Sequence, residues 1–151
     1  MLEKLTSLLT EHQVDYEIIA HELPIRSAQD GANWFSIELA QTAPTLILKA
    51  GEQYYALIVA GDYGRVDLNE LSRELNLDSL LFAKPKEVER TTGYRVGGVA
   101  MIGHGLPTIF DRHLETFDYI YGGTGSPTHT LKIPAADVIR FNDVIAFVRE
   151  S

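Results

Sequence analysis

The apolar positions of this chain change period several times, and each change marks an element. Leu2, Leu5, Leu8 and Leu9 recur at helical spacing, which predicts an opening amphipathic helix ending near His12. Residues 16–21 (Tyr-Glu-Ile-Ile-Ala-His) read as a strand that Pro24 breaks. Ser27, with Asp30 three residues on, is an N-cap signal for a helix reaching about Gln41. Residues 45–49 and 54–60 are apolar and β-prone, and they flank Gly51-Glu-Gln, which predicts a hairpin. Asp67 and Glu70 form a capping pair before Leu68, Leu71 and Leu75, hence a short helix. Residues 80–83 make a short strand, and Pro85 suits the first turn of a helix that Gly93 can end. Strands are then predicted at about 98–102, 108–111, 119–121 and 128–133, with a Gly-rich turn over 122–127. Pro134 opens a short helix, and the Val- and Ile-rich remainder predicts one more.

Strands outnumber helices and short turns join most of them. The expected fold class is therefore α+β: a curved, mostly antiparallel sheet or partial barrel with surrounding helices. A doubly wound parallel sheet fits less well, because strand–helix alternation stops after Gly93. With 151 residues, 45% of them hydrophobic, and no repeat or linker, residues 1–151 are expected to form one domain with a real core.

Composition narrows the chemistry. No run of about 18 apolar residues is present, so no membrane span is expected. The opening Met1-Leu-Glu-Lys-Leu-Thr lacks the basic and apolar regions of a signal peptide, which makes the cytoplasm the expected location. Zero cysteines exclude disulfides, thiolate zinc sites and cysteine nucleophiles. A net charge of −8 argues against broad binding to a phosphate backbone. One local exception is Lys84, Lys86, Arg90 and Arg95, which share twelve residues with only Glu87 and Glu89. Read blandly, they are a solvated helix face; read functionally, they steer the phosphates of a nucleic-acid end.

Familiar catalytic patterns are missing. Asp111 and His113 are two apart but lack a third metal ligand, and the five histidines are scattered. No Gly-x-Ser-x-Gly elbow or phosphate loop occurs, and Gly122-Gly-Thr-Gly opens no helix. No metal or cofactor is called for. What stands out is Thr92-Gly-Tyr-Arg-Val-Gly-Gly-Val-Ala-Met-Ile-Gly103, with four glycines in twelve residues. It is either a bulge or corner, or a backbone that a ligand approaches closely, its amides holding an oxygen without a charged side chain.

Together with Ala43-Pro-Thr-Leu-Ile-Leu48, Leu106-Pro-Thr-Ile-Phe-Asp111, Gly122-Gly123 and Ile133-Pro-Ala-Ala-Asp137, this segment resembles the YbaK/prolyl-tRNA synthetase-associated domain family. The resemblance runs from the opening helix to about Asn142. It implies a mixed α/β fold around a curved sheet, and hydrolysis of the ester of a wrongly charged tRNA. On that resemblance Gly97 and Gly98 are the catalytic backbone groups, and a substrate hydroxyl helps to activate water. Tyr94, Val99, Ala100, Met101, Gly103 and Tyr121 are the expected substrate-binding residues, although ordinary strand packing accounts equally well for Val99, Ala100 and Met101. The expected partners are the aminoacyl end of a tRNA and an aminoacyl-tRNA synthetase that holds it. A non-catalytic module that recognises an aminoacyl, adenylate-like or peptide group through a partner protein is the alternative; a purely structural domain leaves the glycines unexplained. This chain departs from the family in two places. Pro44 stands where the family usually has a lysine, and Ala100-Met101 replaces a common Ser-Pro. Lys49 lies at an odd offset from position 44, on the other face of a strand, where it would cap the hairpin.

Overall fold

The computed structural model describes residues 2–25 and 27–149; Met1, Arg26, Glu150 and Ser151 lie outside them. Helix α1 (Leu2–Glu11) buries Leu5 and Leu9, as its leucine spacing requires. Strand β1 (Glu17–Ala20) follows, then α2 (Ala28–Phe35), which Ser27 caps by accepting the Asp30 amide at 3.1 Å. This helix stops six residues before the predicted end. Ser36 takes a left-handed conformation there (φ 54°), and a 3-10 turn at Leu39–Gln41 leads into a short strand, β2 (Thr42–Ala43). The predicted hairpin forms as β3 (Thr45–Ala50) and β4 (Gln53–Ile58), and Asp67 caps α3 (Leu68–Leu75). After β5 (Leu81–Phe82), α4 (Pro85–Thr92) starts on its proline and ends at Gly93, whose φ of 81° suits glycine. Strands β6 (Pro107–Asp111), β7 (Ile120–Gly123) and β8 (His129–Ile133), helix α5 (Ala135–Arg140) and strand β9 (Asp143–Val148) complete the chain.

Among the described residues these strands form two mixed sheets, ordered β1-β8-β7-β2 and β5-β3-β4-β6-β9. Four of the seven ladders are antiparallel, and neither sheet closes into a barrel. A shared core joins the sheets: Ile58 and Phe110 come from one, Ile120, Leu131 and Ile133 from the other, and α1 adds Leu5 and Leu9. Full burial of such a side chain is worth about 1.5–3 kcal/mol. The opposite face of the five-stranded sheet is covered by α3 through Leu71, against Leu48, Leu57 and Ile109.

Two predicted elements take other forms. The Val- and Ile-rich C-terminal stretch is not a helix but β9, parallel to β6, with a register shift beside Thr108 and Ile109. Its run Val144-Ile-Ala-Phe-Val148 is β-branched and aromatic, which suits a pleated surface better than a helix. Residues 98–102 are not a strand either. They form an irregular ribbon between the sheets, and Val99, Ala100, Met101 and Ile102 are all buried. A half-buried strand would alternate; burial of four residues in succession reflects enclosure on both sides.

Candidate functional site

The glycine segment begins with a tight turn. The Gly98 amide donates to the Arg95 carbonyl at 2.8 Å, and Gly97 takes φ 79° inside the turn, a conformation that favours glycine. A Cβ at Gly97 would meet nothing within 4 Å, and the residue is exposed. Among the described residues no protein group accepts from the Gly97 amide. The two glycines therefore differ: the free donor is at 97, whereas the amide at 98 closes the turn.

Beyond the turn the ribbon is clamped against β7. The Met101 amide donates to the Gly123 carbonyl at 3.1 Å. A Cβ on Gly123 would lie 2.4 Å from the Val99 carbonyl oxygen, and one on Gly122 would lie 2.3 Å from the Met101 sulfur. The glycine pair of β7 thus exists to let this ribbon approach, not to make a hairpin turn. Asn142 holds the same ribbon from the other side, donating to the Met101 carbonyl at 2.9 Å.

The structure divides the expected substrate-binding residues. Met101 is 0% exposed and belongs to the core between the sheets, so it supplies packing rather than an open wall. Val99 packs with Ile47, Ala56 and Val88, and Ala100 is buried beside it. The hydroxyl of Tyr94 lies 3.8 Å from the Cβ position of Gly103, so these two do meet. Gly103 also lines a cavity of about 470 Å³ with Gly105, Phe141 and Asn142. Tyr121 turns to the other face of its sheet, where its ring sits 5.1 Å from Phe35 of α2. It does not share a pocket with Met101.

The basic residues stay in solvent: Lys84, Lys86, Arg90 and Arg95 are all exposed along α4 and the turn after it. Glu87, which would have offset them, is engaged elsewhere. Its carboxylate accepts from Lys49 Nζ at 2.5 Å, from the Tyr54 hydroxyl at 3.0 Å and from the Lys84 amide at 2.9 Å. Lys49 is therefore tied to α4 rather than capping its hairpin. It shares a sheet face with Ile47, the side on which Val99 packs.

These bonds hold the Glu87 carboxyl down to about 2, chiefly through Lys49, while Glu87 raises the Lys49 ammonium above its ordinary value. A depressed carboxyl stabilises the fold above its unfolded value of 4.5, and that contribution disappears as pH falls from there to about 2. Carboxyl-carbon NMR should accordingly find Glu87 titrating well below the ordinary glutamate value of 4.5. A midpoint near 4.5 would mean that the Lys49 link does not persist in solution.

Sequence reasoning missed the tip of the β7–β8 hairpin. There Ser126 Oγ and His129 Nδ1 lie 2.8 Å apart, and the Thr124 hydroxyl donates to the His129 carbonyl at 3.0 Å. The three-residue spacing of Ser126 and His129 was the available signal, but only the hairpin fold turns it into contact. Burial lowers the pKa of His104, whose Nδ1 accepts the Leu106 amide at 3.1 Å. No group of three or more metal-ligating side chains is brought together among the described residues. Nor, among them, is any helix long and apolar enough to cross a membrane.

Two mixed sheets clamping a glycine ribbon define the class of protein, and comparison with known proteins gives its family. The family model for the aminoacyl-tRNA editing domain matches residues 22–141, and the chain belongs to that family. It is similar to the proline–tRNA ligase of Caldicellulosiruptor saccharolyticus, at 24% identity over 80% of this chain and 21% of that protein. The proline–tRNA ligase of Fervidobacterium nodosum is 28% identical over 72% of this chain and 19% of its own length. The chain thus spans about a fifth of the ligases it matches. Among solved structures, one of a hypothetical protein superposes with a TM-score of 0.85 at 21% identity, covering 95% of this chain and 97% of that one. A candidate trans-editing enzyme for prolyl-tRNA synthetase gives 0.82 at 22% identity, covering 96% and 93%. At these identities the structural matches establish the fold.

Proposed function

We propose that this domain is an aminoacyl-tRNA deacylase that hydrolyses the ester of a mischarged tRNA in the cytoplasm, acting in trans beside a synthetase. The observation that carries this reading is the exposed turn at Gly97, with its unpartnered amide, in a chain of the editing family. Water attacks the acyl carbonyl, the ester C–O bond breaks, and the products are a free amino acid and a tRNA hydroxyl. The Gly97 amide polarises the carbonyl oxygen, and Gly98, without a side chain, lets the acyl group come close. An aminoacyl ester is already activated, so positioning and polarisation supply much of the rate, and a hydroxyl of the substrate helps to activate the water. Lys84, Lys86, Arg90 and Arg95 meet phosphates of the acceptor end.

A binding module without hydrolysis is the second reading. It is favoured by Pro44 in the place of the family lysine and by Lys49 being held on Glu87. A panel of aminoacylated tRNAs separates the two. Release of the amino acid from at least one of them is the expected result, and binding without release across the panel would favour the module.

A further inference from the structure

Trp34 is the only tryptophan in the chain, and it stands 48% exposed in the last turn of α2. Its indole is the outer member of an aromatic series. The His21 ring meets it edge-on at 5.9 Å, His21 meets Phe35 at 6.2 Å, and Phe35 meets Tyr121 at 5.1 Å. Beside the indole is a shallow groove of about 520 Å³, lined by Ala20, His21, Glu22 and Trp34. Both His21 nitrogens are engaged within the protein: Nδ1 donates to the Leu23 carbonyl at 2.7 Å, and Nε2 meets the Thr130 hydroxyl at 3.1 Å. The imidazole therefore offers the groove its carbon edge. Among the described residues Glu22 is the one charged group lining it, a carboxylate that repels phosphate but accepts hydrogen bonds.

A flat exposed π-surface, an apolar floor and a single acceptor suit an aromatic heterocycle bearing an exocyclic amine. We propose that this groove stacks an unpaired nucleobase, adenine or cytosine in preference to uracil, from the acceptor strand of the substrate tRNA. The inference rests on the deacylase reading and adds a subsite to it. Placement supports it. Thr130, which holds His21, pairs with Gly123 of β7, the residue pressed on Val99 of the glycine ribbon. From β1 to β7 is two strand spacings, about 10 Å. The end of β1, which lines the groove, is thus connected to the ribbon through β8 and β7. Recognition through base faces also fits a chain of net charge −8, which is ill suited to tracking a phosphate backbone.

Because Trp34 is the sole tryptophan, its emission reports on the groove directly. Titration of the intact protein with the trinucleotide CCA should give saturable quenching. An abasic trinucleotide should give none, and UUU should bind more weakly. In deacylation, Trp34→Ala should raise KM for a mischarged tRNA by roughly 5- to 150-fold, the worth of one stacked base, with kcat within about two-fold. Trp34→Phe should restore most of the loss. A merely structural indole would change kcat or the melting temperature instead, without separating CCA from the abasic trimer. Equal quenching by the two trimers, an unchanged KM for folded Trp34→Ala, or Trp34-dependent self-association in place of CCA binding each overturns the proposal. If the wild-type protein releases nothing from any tRNA, the deacylase reading fails by itself, and the fluorescence titration still decides what the groove binds.

Discussion

Gly97→Ala should lower kcat/KM for amino-acid release from mischarged tRNA by roughly 10²- to 10³-fold, the usual cost of losing one preorganised oxyanion donor. The folded protein has room for the new methyl group, since nothing lies within 4 Å of its position. The obstacle is conformational. At φ 79° an L-residue is strained by about 1–2 kcal/mol, and the turn relieves that strain by rotating the 97 amide away from its present direction. Gly97→Val should be worse, because a β-branched side chain tolerates positive φ least and also shields the amide. Single-turnover release measured alongside thermal melting separates the causes. A loss under about ten-fold from a protein with the wild-type melt would place the polarising donor elsewhere on the ribbon.

The largest effect on stability is expected at Asp111. This carboxylate is 0% exposed and fully satisfied. Arg149 donates to it through Nε at 3.0 Å and Nη2 at 2.6 Å, while the amides of Ala60 and His113 donate at 2.8 and 3.0 Å. Arg149 also reaches Asp62 at 3.3 Å and lies over the Tyr63 ring, so one carboxylate ties the end of β9 to β6 and to the loop after β4. Asp111→Ala leaves the amides of Ala60 and His113 without their acceptor and the guanidinium with Asp62 alone. The expected cost is about 2–6 kcal/mol, chiefly from the two amides, or roughly 4–24 °C in melting temperature for a chain of this size. Deacylation by the folded variant, assayed well below its melting point, should stay near wild type, because Asp111 has no free oxygen with which to serve as acid or base. A collapse of kcat with an unaltered melt would instead make Asp111 a catalytic group.

Where an element follows from local chemistry, the sequence was sufficient to predict it. Leucine spacing gave α1, Ser27 and Asp67 began α2 and α3, and Pro85 with Gly93 bounded α4. Of the candidate site, the two open amides expected at Gly97 and Gly98 come out as one, because the Gly98 amide closes the turn onto Arg95. What surrounds that backbone was not legible, because it is decided by residues far away in the chain. Consecutive apolar residues at 99–102 describe a buried strand or an enclosed ribbon equally well, and only the arrival of β7 and Asn142 decides between them. Met101 looked available as a pocket wall for the same reason. Its neighbour Gly122 looked like a turn residue, when the missing side chain at 122 is what admits the methionine sulfur. The pairing of Lys49 with Glu87, 38 residues apart, likewise has no local signal.

The order of the strands has a kinetic consequence. Strand β1 finds its partner in β8, so residues 17–20 wait for residues 129–132. Strand β4 waits for β6, and β6 for β9. During synthesis the β3–β4 hairpin can form early, but neither sheet can be completed until most of the chain has left the ribosome. Contacts of such high sequence separation carry a large loop-closure cost before they return any stability. The glycine ribbon, which needs both sheets around it, is therefore among the last parts to become ordered, and a nascent chain stalled short of β8 would lack Asn142 and the strand that pairs with β7.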